Sequence, residues 1–327
     1  MFDSKESQFA LEAVRRATEL VRLVQREMVT PALTKDDRSP VTMADFAAQA
    51  LLGHLLADAF PNDRLVGEED AARLRQPDHQ QDLEQLTGFV AQAIPGATPP
   101  QVCDWIDCGT AEPGGRFWTL DPVDGTKGFL RGEQYAVALA LVVDGKVELG
   151  VLGCPNLFDG HRPEIGGSGS LIAAERGQGT WTQPLAGGPW RQLHVSDRDN
   201  PTDARLLRSV ESGHTNVGTI GDLLKLLDVQ AEAVGMDSQA KYAVLAAGAG
   251  DLLLRLISSS RPDYLEKIWD QAAGSLVVEE AGGRVTDLDG RPLDFTQGRT
   301  LGRNRGVVAS NGRLHETVLA ALRRVGA

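Results

Sequence analysis

Trp118-Thr119-Leu120-Asp121-Pro122-Val123-Asp124-Gly125-Thr126 is the stretch on which the reading of this chain turns. The apolar run at 118–120 has the composition of a buried strand and empties directly into two acids, with Pro122 stiffening the bend between them and Gly125 relaxing it. In such a turn the Asp121 and Asp124 carboxylates converge on one hard cation, and the Val123 carbonyl adds a neutral oxygen; Mg²⁺ suits that set. A helical turn opening at Gly125 or Thr126 would aim free backbone N–H groups at a phosphate, and the Thr126 hydroxyl would hold a water. The same residues also make an ordinary acidic β-turn, which Asp and Gly favour for purely local reasons, and the stretch alone leaves both readings open.

Outward from this point the chain divides by pattern. Downstream, apolar β-prone runs at 135–143 and 147–152 are joined by Asp144-Gly145, a tight-turn signal, and shorter strands follow at 171–174 and 179–181. Upstream, apolar residues recur at helical spacing over 6–29, Thr42 with Asp45 resembles a capping box opening a second helix that runs to 60, and a short strand at 64–67 ends on Glu68 and Glu69. The stretch 71–115 reads only as a polar helix and loops. Around 183–190 the composition shifts to Pro, Gly and Ala, as in a linker. Beyond it, strands at 206–210, 251–257 and 307–309 alternate with helices at 220–227, 241–247, 270–281 and from 314, the pattern of an α/β half. The expected division is therefore residues 1–185, an N-terminal α+β part, and 186–327, a C-terminal α/β part.

Composition bounds the partners. No run among the 327 residues approaches a membrane span, and residues 1–6 mix acid and base unlike a signal or transit peptide. Cys103, Cys108 and Cys154 make no CxxC pair and leave one thiol over in any disulfide scheme, which points to free thiols, a reducing cytoplasm and no zinc site. A formal charge of −12 repels nucleic-acid polymers and anionic membranes, so phosphate chemistry on this chain needs cations. The sequence sets no oligomeric state, and a monomer is compatible with it.

Further acids stand at places of interest: Asp45 in the expected second helix, Glu68 at a strand end, and Asp270 after Trp269 where a helix opens. Each alone reads equally as a helix cap or a solvated surface acid. Taken in order, Ser39-Pro40-Val41-Thr42 with Ala44-Asp45, Gly67-Glu68-Glu69, 121–126, and Trp269-Asp270 with Ala272-Ala273-Gly274 resemble the signature of the lithium-sensitive, Mg²⁺-dependent phosphatases that include inositol monophosphatase and fructose-1,6-bisphosphatase. The finer resemblance is to the 3′(2′),5′-bisphosphate nucleotidases. It rests on residues 126–135, Gly153-Cys154-Pro155-Asn156-Leu157, Asp237-Ser238-Gln239-Ala240-Lys241-Tyr242 and Glu266-Lys267-Ile268-Trp269-Asp270.

That resemblance implies a layered α/β/α/β/α sandwich and hydrolysis of the 3′-phosphate of 3′-phosphoadenosine 5′-phosphate, with 3′-phosphoadenosine 5′-phosphosulfate as a further candidate. An inositol phosphate or sugar phosphate phosphatase is the alternative on the same metal site, and a non-catalytic nucleotide sensor is the remaining one. It further implies that Glu68, Asp121, Asp124, Asp270 and the Val123 carbonyl hold two or three Mg²⁺ ions, and that Asp45 and Thr126 order and deprotonate water. Gly125, Thr126, His214, Ser238, Lys241 and Arg255 would bind the small bisphosphate nucleotide, Lys241 and Arg255 through its 5′-phosphate. Without the resemblance, Lys241 reads as a solvated helical lysine and Arg255 as a strand residue facing water.

Overall fold

The computed structural model describes residues 2–29, 39–158, 166–210, 216–257 and 261–327. Its frame is two sheets. The first has seven strands in sequence order, β1 (Arg64–Gly67), β2 (Arg116–Asp124), β3 (Ala136–Val143), β4 (Lys146–Cys154), β5 (Ser170–Glu175), β6 (Thr180–Pro184) and β7 (Arg191–Leu193). The second has five, ordered β11 (Arg284–Thr286), β12 (Val307–Ser310), β10 (Leu252–Arg255), β8 (Leu206–Arg208) and β9 (Val234–Gly235). The segment expected as a linker thus joins β6 to β7 within the first sheet, and the second sheet begins at β8.

The first sheet is buried on both faces, which is why β3 reads as an unbroken apolar run. Val137, Leu139 and Leu141 point to one core, while Ala136, Ala138, Ala140 and Val142 point to the other. The larger side chains meet α1 (Lys5–Met28) and α2 (Ser39–Ala59); the mostly small ones let α7 (Ala240–Ala246) and α8 (Ala272–Glu280) pack close. β4 shows how close: a Cβ at Gly150 would lie 2.8 Å from the Ala273 carbonyl oxygen of α8, and one at Gly153 would strike Thr18 of α1 on the opposite face. Asp144 and Gly145, with φ of 48° and 76°, form the tight turn that the sequence indicates between β3 and β4.

A third apolar cluster lies between the far face of the second sheet and α6 (Val217–Leu226) with α9 (His315–Val325). The order is therefore outer helices, first sheet, middle helices, second sheet, outer helices, the expected five-layer sandwich. The stretch that read only as polar helix and loops contains α3 (Gln80–Ala93) and α4 (Pro99–Asp107), which pack on α2, and α4 opens on a capping box from Thr98 to Gln101. No described helix is long and apolar enough to cross a membrane, and all three cysteines are free thiols.

Two local expectations need correction. α2 begins at Ser39, so Thr42 and Asp45 lie inside it rather than capping it, and Asp45 is a buried inward-facing residue of its second turn. Nor do Asp121 and Asp124 sit in a turn: β2 runs through both, because Pro122 falls at a bulge where no ladder bond is lost.

Candidate active site

That bulge decides where the two acids point. In a regular strand, residues three apart face opposite ways. Here Asp121 pairs with Ala138 and Asp124 with Ala136, so three steps on β2 match two on β3, and one extra residue restores the parity. Ala136 and Ala138 both belong to the core between the sheets, and directly opposed residues share a face, so both carboxylates turn toward the middle layer. Val123 turns the other way, into the outer core. The chain then turns through Gly125, at φ 91°, into the short helix α5 (Thr126–Arg131), which supplies the helical turn anticipated at Gly125 or Thr126.

Neighbouring elements bring the remaining acids. β1 lies parallel to β2 with Gly67 beside Leu120, which carries Glu68 to the level of Asp121. Gln49, fully buried one helical turn beyond Asp45 on α2, fixes this arm. Its amide Nε2 donates to the Glu69 and Ile106 carbonyls at 2.6 and 2.8 Å, and its Oε1 accepts from the Glu69 N–H at 3.1 Å. Asp270 arrives from the second half, just before α8, where Arg255 of β10 stands 3.6 Å from it and 2.8 Å from Glu266.

The electrostatics report crowding of like charge. Burial, followed by repulsion from Glu68, Asp124, Asp270 and Asp45, holds the Asp121 carboxyl well above the ordinary carboxylate range. Burial with Glu69 and Glu68 does the same to Asp45, and burial raises Asp124 and Asp270 although Arg255 opposes the rise in both. Glu68 keeps an exposed side chain, yet protein crowding on its other sides and Asp124 raise it too, an effect that water access tempers. Glu69 is pushed up to about 7, by burial first and then by Glu68 and Asp70.

Among the described residues no three acid, imidazole or thiol side chains already close around one ion-sized point; the acids face one another at the range of repulsion. Their chemistry nevertheless fits a hard cation. All the donors are oxygens, and Oδ1 of Asp121 is buried without a hydrogen-bond partner, a costly state that a cation would relieve.

The segment before α7 closes the site. Ser238 takes φ 69°, which costs a non-glycine residue, and this bend presents the Gln239 N–H to Oδ2 of Asp124 at 2.6 Å. The Gln239 side chain donates to the Trp269 carbonyl and accepts from the Gly274 N–H, both at 3.0 Å, and so ties the Asp124 and Asp270 arms together. Ser238 Oγ accepts from the Ala240 N–H, which leaves its own proton to give. Arg131 pairs with Asp237 and anchors α5 to the same segment.

Lys241 is not the solvated lysine of the local reading. It is buried, since α7 is enclosed between the sheets, and burial lowers its ammonium to about 8 against the pull of Asp124. Arg255 is partly buried: burial works against its charge, but Glu266 and Asp270 outweigh it and raise its pKa. Thr126 is exposed at the start of α5, and Gly125 packs where a Cβ would come within 2.8 Å of the Ser238 Cβ. His214 lies outside the described residues. Reasoning from sequence missed Gln49, Gln239 and Glu266. Gln49 was findable from its i+4 spacing to Asp45, and the other two lie inside motifs whose acids and cations drew the attention.

Comparison with known proteins shows the family and the fold. A profile of the inositol monophosphatase family matches residues 3–327. Proteins named 3′(2′),5′-bisphosphate nucleotidase are similar along almost the whole chain. The one from Schizosaccharomyces pombe is 44% identical, over 98% of this chain and 95% of its own. The one from Emericella nidulans is 41% identical over 98% of each, and the one from Oryza sativa is 41% identical over 96% and 92%. Among solved structures, an IMPase from Thermotoga maritima superposes with a TM-score of 0.65 at 21% identity, covering 98% of both chains. An inositol monophosphatase from Anabaena gives 0.62 at 20%, covering 97% of this chain and 94% of that one; both likenesses speak for the fold. The chain belongs to the inositol monophosphatase family and groups within it with the 3′(2′),5′-bisphosphate nucleotidases.

Proposed function

We propose that this protein removes the 3′-phosphate of 3′-phosphoadenosine 5′-phosphate, giving AMP and inorganic phosphate, with Mg²⁺ bound at the acid cluster. The observation that carries the reading is the mutual repulsion of Asp45, Glu68, Asp121, Asp124 and Asp270, drawn from both halves of the chain, beside the buried Lys241 and the partly buried Arg255.

Glu68, Asp121, Asp124, Asp270 and the Val123 carbonyl would hold the ions. Two or three Mg²⁺ ions would supply the positive charge that phosphoryl transfer needs, together with Lewis acidity. The chain's own residues do the rest. Asp45, with its raised pKa, accepts the proton of the attacking water, and the exposed Thr126 hydroxyl orients that water. Oxygen of water bonds to phosphorus as the bond from phosphorus to O3′ breaks, and the leaving oxygen takes up a proton. Gly125 allows close approach of the phosphate to the loop. Lys241, with His214 and the Ser238 hydroxyl, recognises the second phosphate; Arg255 contributes from its place beside Asp270.

Phosphate release should be measured with Mg²⁺ present and chelated, on 3′-phosphoadenosine 5′-phosphate, the corresponding phosphosulfate, inositol 1-phosphate and inositol 1,4-bisphosphate. Mg²⁺-dependent preference for the adenosine compounds is expected. Preference for either inositol compound would defeat the nucleotidase reading.

A further inference from the structure

Arg299 belongs to none of the sequence motifs, yet it touches both arms of the acid cluster. Its backbone is part of the strip that leads to Asp270: the Arg299 carbonyl accepts from the Ile268 N–H at 3.2 Å, the Leu301 N–H donates to the Glu266 carbonyl at 2.8 Å, and Lys267 bridges to Thr300. Its guanidinium leaves that strip and crosses to the first half of the chain. There it donates to the Gly67 carbonyl, the last residue before Glu68, and to the Gly109 and Ala111 carbonyls at 3.3 and 3.1 Å. On the way it lies over the Trp269 ring, 4.9 Å from the centroid, directly before Asp270.

A planar fork with five N–H donors can meet several carbonyls and stack on an indole at once; an ammonium on a flexible stem cannot. We propose that Arg299 is a positioning residue that sets the Glu68 arm against the Asp270 arm, so that the cation site contributed by two halves has one fixed width. The inference rests on the metal reading above. It assigns Arg299 no contact with substrate or with the ions. Outer partners of this kind govern metal affinity by holding the ligands in place.

The test reads Mg²⁺ binding without turnover, as the midpoint of binding, the free Mg²⁺ concentration at half-saturation of the full chain in equilibrium dialysis. Arg299→Ala should raise that midpoint about tenfold or more, and Arg299→Lys should recover it only in part, staying above wild type by more than about twofold. Leu319→Ala, a cavity in the core beneath α9 on the far side of the second sheet, should lower the melting temperature without Mg²⁺ yet keep the wild-type midpoint. An Arg299→Ala midpoint within about twofold of wild type would overturn the proposal. So would an equal shift from Leu319→Ala, since Arg299 would then be a general contributor to stability. If Arg299→Ala does not fold, Arg299→Lys decides by the same twofold criterion. Asp124→Asn, measured alongside, should abolish Mg²⁺ binding; if that variant binds like wild type, the metal reading fails and this inference with it, a result distinct from an Arg299 failure alone.

Discussion

Asp124 and Lys241 carry the sharpest single-residue consequences. Asp124→Asn keeps the shape and an oxygen to accept the Gln239 N–H, but removes one charge from a cluster in which burial raises every acid and like neighbours raise Asp45, Glu68, Asp121 and Asp270 further. Turnover should fall by about 10²–10³-fold or more, with metal-free stability unchanged or higher. Phosphate release and thermal melting together check this, and an unchanged rate would sink the metal assignment. Lys241→Met removes the ammonium at nearly constant volume, and should cost about 10²-fold in kcat/KM on the bisphosphate while sparing inositol 1-phosphate. Because burial lowers the Lys241 ammonium to about 8, the wild-type KM for the bisphosphate should climb as pH passes 8 and the charge is lost. That climb should be absent from Lys241→Met; equal losses on all substrates would make the lysine structural.

At the scale of elements, two packing devices hold the acid-bearing strands in register with what surrounds them. The α5 entrance meets the segment before α7 at Gly125, where φ 91° and the nearness of Ser238 leave no room for a side chain. Gly125→Ala should destabilise the fold by about 1–3 kcal/mol in denaturant titrations and lower turnover with it. Gln49 ties α2 to the end of β1 by hydrogen bonds. Replacing it in Gln49→Leu strands the Glu69 N–H and carbonyl, at a cost of about 1–3 kcal/mol, and frees the Glu68 arm. A raised Mg²⁺ requirement should accompany the lost stability, and a variant with normal Mg²⁺ affinity would show that β1 alone positions Glu68.

The molecule as a whole responds to pH through groups at its two ends, with opposite signs. His315, on α9, is buried between the Thr286 and Ser310 hydroxyls at 2.9 and 2.8 Å, and burial lowers it from 6.5 to about 4. A depressed base stabilises the fold above its ordinary range and loses that contribution as pH falls through its folded value, so stability should decline from pH 6.5 to about 4. His315→Gln should lack this component. The acid cluster runs the other way: raised carboxyls favour the metal-free fold at low pH and lose that benefit as pH rises, for Glu69 from 4.5 through about 7. Stabilisation by Mg²⁺, read as the rise in melting temperature, should therefore be larger at pH 8 than at pH 5. What the sequence determined by itself were the features set by near neighbours: helix α1, the β3–β4 hairpin at Asp144-Gly145, and the set of acids. Tertiary structure decided that a bulge turns Asp121 and Asp124 to one face, that α7 lies enclosed and so buries Lys241, and that Arg299 reaches carbonyls 188 to 232 residues away. Local periodicity records only whether a residue is apolar and how its neighbours alternate; which face a strand shows after a bulge, and what a side chain meets across two sheets, depend on partners remote in the chain.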